Sequence, residues 1–137
     1  MGLILAVARR IADVDKRLRI PGALTWGLLE NLGYSLYGKT LGIIGMGRIG
    51  QALARRAKAS GMQIIYFNRH QLDSRIEALY NAKYVTLDEL FTTADVVSVN
   101  APHTAETTHI VDAHRLDQMK STAILVNTAR GPLVDEL

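Results

Sequence analysis

Apolar residues in this chain form short unbroken runs, separated by segments in which apolar and polar residues recur with helical spacing. The clearest run is TLGIIGM at residues 40–46, whose composition is typical of a strand buried on both faces. Further runs of the same kind predict strands at residues 63–68, 95–102 and 123–129, and a weaker one at 82–86.

The segments between these runs have the spacing of amphipathic helices. Helices are predicted at residues 2–18, 48–60, 72–80, 87–94 and 112–119. Gly61 suits the end of one helix and Asp112 the start of another. Residues 19–39 contain Pro21 and several glycines, and this composition favours a long connection.

Strands that alternate with helices predict an α/β fold with a doubly wound parallel sheet covered on both faces. Ligands of such sheets bind beyond the carboxyl ends of the strands. The segments that would meet at that edge are residues 45–50, 68–69, 100–104 and 127–131. The sequence therefore predicts one ligand site built from four separate loops.

The composition narrows the class of protein. The chain has 137 residues, 48% of them hydrophobic and 21% charged, as expected for one soluble globular domain. No apolar run approaches the roughly 20 residues that span a bilayer, and the apolar start is followed by charges, unlike a signal peptide. The absence of cysteine excludes disulfides and fits the reducing cytoplasm, where we expect the protein to be located.

The net charge of +3 raises the question of a nucleic-acid partner. The basic residues are dispersed apart from two Arg-Arg pairs, and aromatic residues are not interleaved with them. We therefore expect a small phosphate-bearing ligand and neither nucleic acid nor a membrane as partner. No group of His, Asp and Glu has the spacing of metal ligands, so no metal site is predicted.

The stretch GMGRIG places Gly45, Gly47 and Gly50 in the pattern G-x-G-x-x-G between a predicted strand and a predicted helix. That context indicates a dinucleotide site. Gly45 permits the tight turn, Gly47 lets the backbone approach a pyrophosphate, and Gly50 lets helix and strand pack closely. Amides at the helix N-terminus would bind the phosphates. The alternative is a glycine turn that binds no ligand.

The second strand ends in Asn68-Arg69, where a site for NAD usually carries an acid that binds the ribose 2′-hydroxyl. Asn68 removes the repulsion that a carboxylate would exert on a 2′-phosphate, and Arg69 can add a charge-assisted bond to that phosphate. This pattern favours NADP over NAD. The alternative is a solvated arginine in a site that still uses NAD.

Three longer stretches carry a family resemblance: LYGKTLGIIGMGRIGQALARRAKASGMQIIYFNR, ADVVSVNAPHTAETTHIV and MKSTAILVNTARGPLVDE. Together they resemble, in order and over nearly the whole chain, the D-isomer-specific 2-hydroxyacid dehydrogenases. The Asn-Arg strand end is similar to the glyoxylate/hydroxypyruvate reductase branch, which favours NADPH. The resemblance implies a Rossmann-type fold and hydride transfer between NADP(H) or NAD(H) and a small 2-oxo or D-2-hydroxy acid, such as glyoxylate or hydroxypyruvate.

The same resemblance implies roles for single residues. Arg130, the arginine of NTARG, would be a catalytic residue that binds the substrate carboxylate and polarises its carbonyl. Besides the three glycines, Asn68 and Arg69, the residues implied for cofactor binding are Arg48, Ile49, Ala101, Pro102, Thr107, Thr128 and Ala129. Alternatively, Arg130 is a surface ion-pair residue and the loop residues serve only their loops.

The family's acid/base histidine and the glutamate that orients it lie on segments beyond NTARGPLVDE. His103 follows a predicted strand end, but no glutamate is obviously placed to orient it. We therefore expect residues 1–137 to be a partial NAD(P)-binding domain, truncated relative to the family, without a substrate domain and inactive alone.

A sheet cut short would leave an open edge and an uncovered apolar face, and this favours a homo-oligomer. A second hypothesis is a nucleotide-sensing interaction module of co-repressor type. Dimerisation only in the presence of nucleotide would favour that second hypothesis, whereas Arg130 favours the enzyme.

Overall fold

The computed structural model describes residues 1–25, 27 and 29–136, and its centre is a sheet of five parallel strands. The strands are β1 (Thr40–Ile44), β2 (Gln63–Phe67), β3 (Ala82–Tyr84), β4 (Val96–Val99) and β5 (Ile124–Asn127). Their order is β3-β2-β1-β4-β5, so β2 and β3 lie on one side of β1, and β4 and β5 lie on the other. This is the order of a doubly wound α/β sheet, and the predicted fold class is confirmed.

Helices cover the sheet and flank it. They are α1 (Gly2–Ala8), α2 (Ile11–Leu18), α3 (Arg48–Ala59), α4 (Ser74–Tyr80), α5 (Leu87–Thr93) and α6 (Ala113–Gln118), with a 3₁₀ turn at Gly131–Leu133. Asp112 caps α6 as predicted, since its carboxylate accepts a 2.8 Å hydrogen bond from the Arg115 amide. Among the residues that the structure describes, no helix has both the length and the apolarity needed to cross a membrane.

The predicted helix at residues 2–18 is wrong in one respect, because the structure divides it at Arg10. Arg10 has a φ of +53° and separates α1 from α2. The Ala8 carbonyl, which would bond to the Ala12 amide in a continuous helix, instead accepts a 2.7 Å hydrogen bond from the Tyr34 amide. The returning chain thus ends α1, whose residues Ile4 and Ala8 are buried in the core.

Two apolar layers enclose the sheet, one on each face. The first contains Ile4 of α1 and Ala54 of α3, and the second contains Leu90 and Phe91 of α5. Gly42 of β1 lies under α5, where a Cβ atom would be 2.7 Å from Leu90 Cδ2. Close packing of this kind holds the strands still, so that the loops at their carboxyl ends have fixed positions.

Asp95 ties together the opposite, amino-terminal edge of the sheet. Its carboxylate accepts a 2.8 Å hydrogen bond from the Thr40 amide and a 2.9 Å hydrogen bond from Lys120 Nζ. Burial alone would raise the pKa of Asp95. These two donors and the charges of Lys120 and Lys39 outweigh burial and hold the pKa below its ordinary value of 3.8.

We expect Asp95→Asn to lower the free energy of unfolding by about 1–2 kcal/mol at pH 7, because its amide nitrogen would face the Lys120 ammonium. The depressed pKa means that the carboxylate stabilises the fold while ionised, so the difference from wild type should shrink as the pH falls below about 4. Urea unfolding at several pH values measures both. Asp88→Asn, on the exposed first turn of α5, is the control. Equal stability of Asp95→Asn and wild type at pH 7 would contradict this account.

Candidate functional site

Loops from four strands meet at the carboxyl edge of the sheet, as the sequence predicts. They line two cavities that share Ala101 and Pro102. One cavity, of about 620 Å³, is also lined by Ile49, Asn100, His103, Thr128, Ala129 and Arg130, and we refer to it as the β5 cavity. The other, of about 590 Å³, is lined among others by Gly45, Phe67, Asn68, Arg69, Glu106, Thr107 and Arg115, and we refer to it as the β2 cavity.

Gly45 and Gly50 are required by the packing of the turn after β1. Gly45 has a φ of +92°, and a Cβ atom on it would lie 2.6 Å from the Ala101 amide nitrogen. A Cβ atom on Gly50 would lie 2.5 Å from the Gly45 carbonyl oxygen. Both positions therefore exclude a side chain, because the atoms that it would meet belong to the backbone.

Gly47 differs from these two glycines because space is open beside it. A Cβ atom at Gly47 would meet nothing within 4 Å. Gly47 is the N-cap residue of α3 and has no side chain that could bond to the first amides of the helix. The first amides of a helix, here those of Arg48 and Ile49, have no acceptor inside the helix. Both residues are exposed. An open surface with free amides and the positive end of a helix dipole suits a phosphate-bearing ligand.

Asn68 has a structural role that sequence analysis did not reveal. Its Oδ1 atom accepts a 2.7 Å hydrogen bond from the Met46 amide, so the end of β2 holds the glycine turn in place. A backbone N–H can only donate, so the side-chain nitrogen of Asn68 lies on the other side of the amide group. That nitrogen is a donor, which suits phosphate or hydroxyl oxygens.

Two tyrosines fix the segment that carries Asn68 and Arg69. The Tyr84 hydroxyl donates to the Asn68 carbonyl at 3.2 Å. The buried Tyr66 hydroxyl accepts from the Leu72 amide and donates to Glu77 Oε1, each at 2.8 Å. Burial and the nearby Glu77 carboxylate raise the pKa of Tyr66 to about 12, although the hydrogen bond from the Leu72 amide lowers it. The hydroxyl therefore stays protonated at neutral pH and keeps both bonds.

Arg69 lies at the β2 cavity with its guanidinium in solvent. Its Nη1 atom is 3.8 Å from Glu106 Oε2, and the two side chains are 79% and 75% exposed. Glu106 comes from the loop after β4, so the structure brings an acid to a place where the end of β2 has none. The pair is wide and solvated, and Arg69 can therefore turn to another anion at little cost.

The hydroxyl of Thr107 is already bonded within its own loop. It donates to the Pro102 carbonyl at 2.7 Å and accepts from the Thr104 amide at 2.8 Å. These bonds close the turn that carries Ala101 and Pro102 between the two cavities. Thr107 thus shapes the site in this structure, and a direct bond to a cofactor stays a prediction.

Two histidines lie on this loop. His103 Nε2 is 3.0 Å from Thr108 Oγ1, and His103 lines the β5 cavity. His109 Nδ1 is 3.8 Å from Asp135 Oδ2. Within the described residues, no group of three or more His, Asp or Glu side chains is placed to hold a metal ion.

Arg130 lines the β5 cavity at the end of β5. Asn127 fixes the turn before it, since its Oδ1 accepts from the Ala129 amide at 3.0 Å and its Nδ2 donates to the Arg130 carbonyl at 2.8 Å. The guanidinium donates to the Ala129 carbonyl at 2.7 Å. No ion pair involves Arg130 in the part of the chain that the structure describes. Its charge is therefore not neutralised by a protein carboxylate there.

Comparison with known protein families identifies the kind of domain to which this sheet and its carboxyl edge belong. The model of the D-isomer specific 2-hydroxyacid dehydrogenase, NAD binding domain, matches residues 1–137. The chain belongs to this family. The resemblance drawn from the sequence is confirmed, and the matched part of 2-hydroxyacid dehydrogenases is the domain that binds their nicotinamide cofactor.

Individual 2-hydroxyacid dehydrogenases agree with this assignment. Proteins named glyoxylate reductase from Korarchaeum cryptofilum and Thermococcus onnurineus are 44% and 47% identical, with 98% and 97% of this chain and 40% and 41% of the relatives covered. The structure of a glyoxylate reductase from Paecilomyes thermophila has a TM-score of 0.86 at 44% identity, covering 98% of this chain and 40% of that one. Apo D-mandelate dehydrogenase of Rhodotorula graminis has a TM-score of 0.90 at 32% identity, covering 97% and 40%. The chain thus spans about two fifths of the length of these relatives.

Sequence analysis missed two residues that this 2-hydroxyacid dehydrogenase domain brings to the site. Asn127 was visible as a polar residue at the end of an apolar run, and that position could have suggested its role in holding Arg130. Glu106 gave no such signal, because its approach to Arg69 depends on how two loops meet in the folded chain.

Proposed function

We propose that the chain is the cofactor-binding part of an oxidoreductase that transfers hydride between NADP(H) or NAD(H) and a small 2-oxo or D-2-hydroxy acid, with NADP(H) preferred. The observation that carries this proposal is that three features lie at one edge of the sheet. They are the glycine turn, the pair Asn68-Arg69 in place of an acid at the end of β2, and Arg130. The name glyoxylate reductase, which two of the relatives have, supports glyoxylate as the substrate, and hydroxypyruvate is added on the resemblance seen in the sequence.

The glycine turn would hold the pyrophosphate. The open space beside Gly47 and the free amides of Arg48 and Ile49 are suited to phosphate groups, and Gly45 and Gly50 give this part of the backbone its shape.

The two cavities would hold the two ends of the dinucleotide. In the β2 cavity, the Asn68 amide and the Arg69 guanidinium are suited to the ribose and its 2′-phosphate, because both donate hydrogen bonds and neither repels an anion. In the β5 cavity, Thr128 and Ala129 would lie beside the nicotinamide end. Ala101 and Pro102, which line both cavities, would lie between the two ends.

When bound, the nicotinamide ring donates or accepts the hydride at its C4 atom. Arg130 would bind the carboxylate of the 2-oxo acid through its planar guanidinium, and its charge would stabilise the negative charge that develops on the carbonyl oxygen. Asn127 positions the Arg130 backbone for this task. We propose that the acid/base histidine, its glutamate and the substrate domain lie outside these 137 residues, so this chain alone should show little turnover.

We also propose that the protein is a cytoplasmic homo-oligomer. The side chains of α1 and α2 support the assembly, because several large apolar residues there are exposed to solvent: Leu3, Leu5, Val7, Ile11 and Leu18. An apolar surface of this kind on a chain of this size is typical of a protein interface.

A fluorescence titration with NADPH and with NADH tests the proposed cofactor. We expect wild type to bind NADPH more tightly, and Arg69→Ala to weaken NADPH binding by about tenfold while NADH binding changes little. Arg75→Ala, which removes the same charge from the exposed face of α4, should leave both affinities unchanged. Equal binding of both nucleotides by wild type would remove the NADP preference from the proposal.

A further inference from the structure

Arg69 and Glu106 approach each other at the β2 cavity from two loops that are distant in the sequence. Their charged groups are 3.8 Å apart, and each side chain is at least three-quarters exposed. Both residues line the cavity. A ligand at this end of the cavity would therefore meet a positive and a negative group together.

We propose that Glu106 sets the preference between NADPH and NADH by competing with the 2′-phosphate for Arg69. This inference rests on the proposed function, since it requires the adenosine ribose to lie in the β2 cavity.

The competition follows from the charges of the two cofactors. A 2′-phosphate would compete with the Glu106 carboxylate for Arg69 and would lie close to that carboxylate, so Glu106 opposes the binding of the phosphate in two ways. The 2′-hydroxyl of NADH is neutral and can donate a hydrogen bond to a carboxylate. Glu106 thus lowers the affinity for NADPH and not the affinity for NADH. It supplies an acid from the loop after β4, whereas β2 itself ends in Asn68 where a site for NAD usually has an acid.

The other ionisable side chains that line this cavity, Arg115 and His109, have protein partners. Arg115 Nη1 lies 3.1 Å from Asp112 Oδ2 and donates to the Ile110 carbonyl at 3.2 Å. His109 faces Asp135. Arg69 and Glu106, with their wide and solvated contact, are therefore the groups whose pairing a ligand can most easily change.

The test compares the affinities of wild type and Glu106→Gln for NADPH and NADH, measured by fluorescence titration at low ionic strength. We expect Glu106→Gln to bind NADPH about three- to tenfold tighter and NADH within about twofold of wild type. Added salt should reduce the difference, since it screens exposed charges. Asp117→Asn removes one exposed negative charge from α6 and should change neither affinity.

The double variant Arg69→Ala/Glu106→Gln shows whether the two residues act together. We expect Glu106→Gln to increase NADPH affinity less on the Arg69→Ala background than on wild type. An unchanged ratio of the two affinities in Glu106→Gln, or weaker NADPH binding, would overturn this inference and leave the proposed function standing. A wild-type chain that binds neither nucleotide would overturn the proposed function itself.

Discussion

Gly47→Asp should bind NADPH and NADH at least about a hundredfold more weakly than wild type while keeping its fold. The added carboxylate would occupy the open space beside the first turn of α3, where the pyrophosphate is proposed to lie. Repulsion between charges about 4 Å apart near a protein surface is on the order of 3–4 kcal/mol, which is a hundredfold or more in affinity. Aspartate is also a favoured N-cap residue, so stability should be unchanged or slightly higher.

Gly47→Asn is the matched control for this result. Asparagine has nearly the same shape and also caps helices well, but it carries no charge. We expect it to weaken both nucleotides by about tenfold, because it fills the same space without repelling the phosphates. Thermal unfolding should place wild type and both variants within a few degrees of one another. Wild-type affinity in Gly47→Asp would place the pyrophosphate elsewhere.

Asn68→Asp should reverse the cofactor preference. Aspartate can accept the hydrogen bond of the Met46 amide as Asn68 does, so the glycine turn should stay in place. The new carboxylate would repel a 2′-phosphate and accept a hydrogen bond from a 2′-hydroxyl. We expect the ratio of NADPH to NADH affinity to fall by about a hundredfold, mostly through the loss of NADPH binding.

The control for this reversal lies on the same strand. Gln63→Glu makes the same kind of change, from amide to carboxylate, at the exposed amino-terminal end of β2. It lies at the opposite edge of the sheet and should leave both affinities unchanged. An Asn68→Asp chain that still prefers NADPH would contradict the placement of the 2′-phosphate beside Asn68 and Arg69.

The fold could be predicted from the sequence because strands buried on both faces leave a strong local signal. The apolar runs at residues 40–46, 63–68 and 123–129 contain β1, β2 and β5, and the glycine pattern marks the turn into α3. The edge at which the site forms follows from the parallel arrangement alone. The position of Arg69 and Arg130 at this edge, where they line the two cavities, could therefore be predicted, and their roles stay predictions.

Contacts between distant segments could not be predicted in this way. Asn68 holds Met46, Glu106 meets Arg69, and both contacts depend on how two loops lie in the folded chain. The break at Arg10 has the same origin, since the amide of Tyr34, from a later segment, donates a hydrogen bond to the Ala8 carbonyl. The helical periodicity of residues 2–18 does not indicate this hydrogen bond to a later segment.

The most direct measurement is a titration of the ¹⁵N-labelled chain with NADPH, followed by the chemical shifts of the backbone amides. We expect the largest shifts at Gly47, Arg48 and Ile49 and at Asn68 and Arg69, with smaller ones at Thr128 and Ala129. The same titration of Gly47→Asp should need about a hundredfold more NADPH to reach the same shifts. Shifts confined to other parts of the chain, such as the exposed faces of α1 and α2, would contradict a dinucleotide site at the carboxyl edge of the sheet.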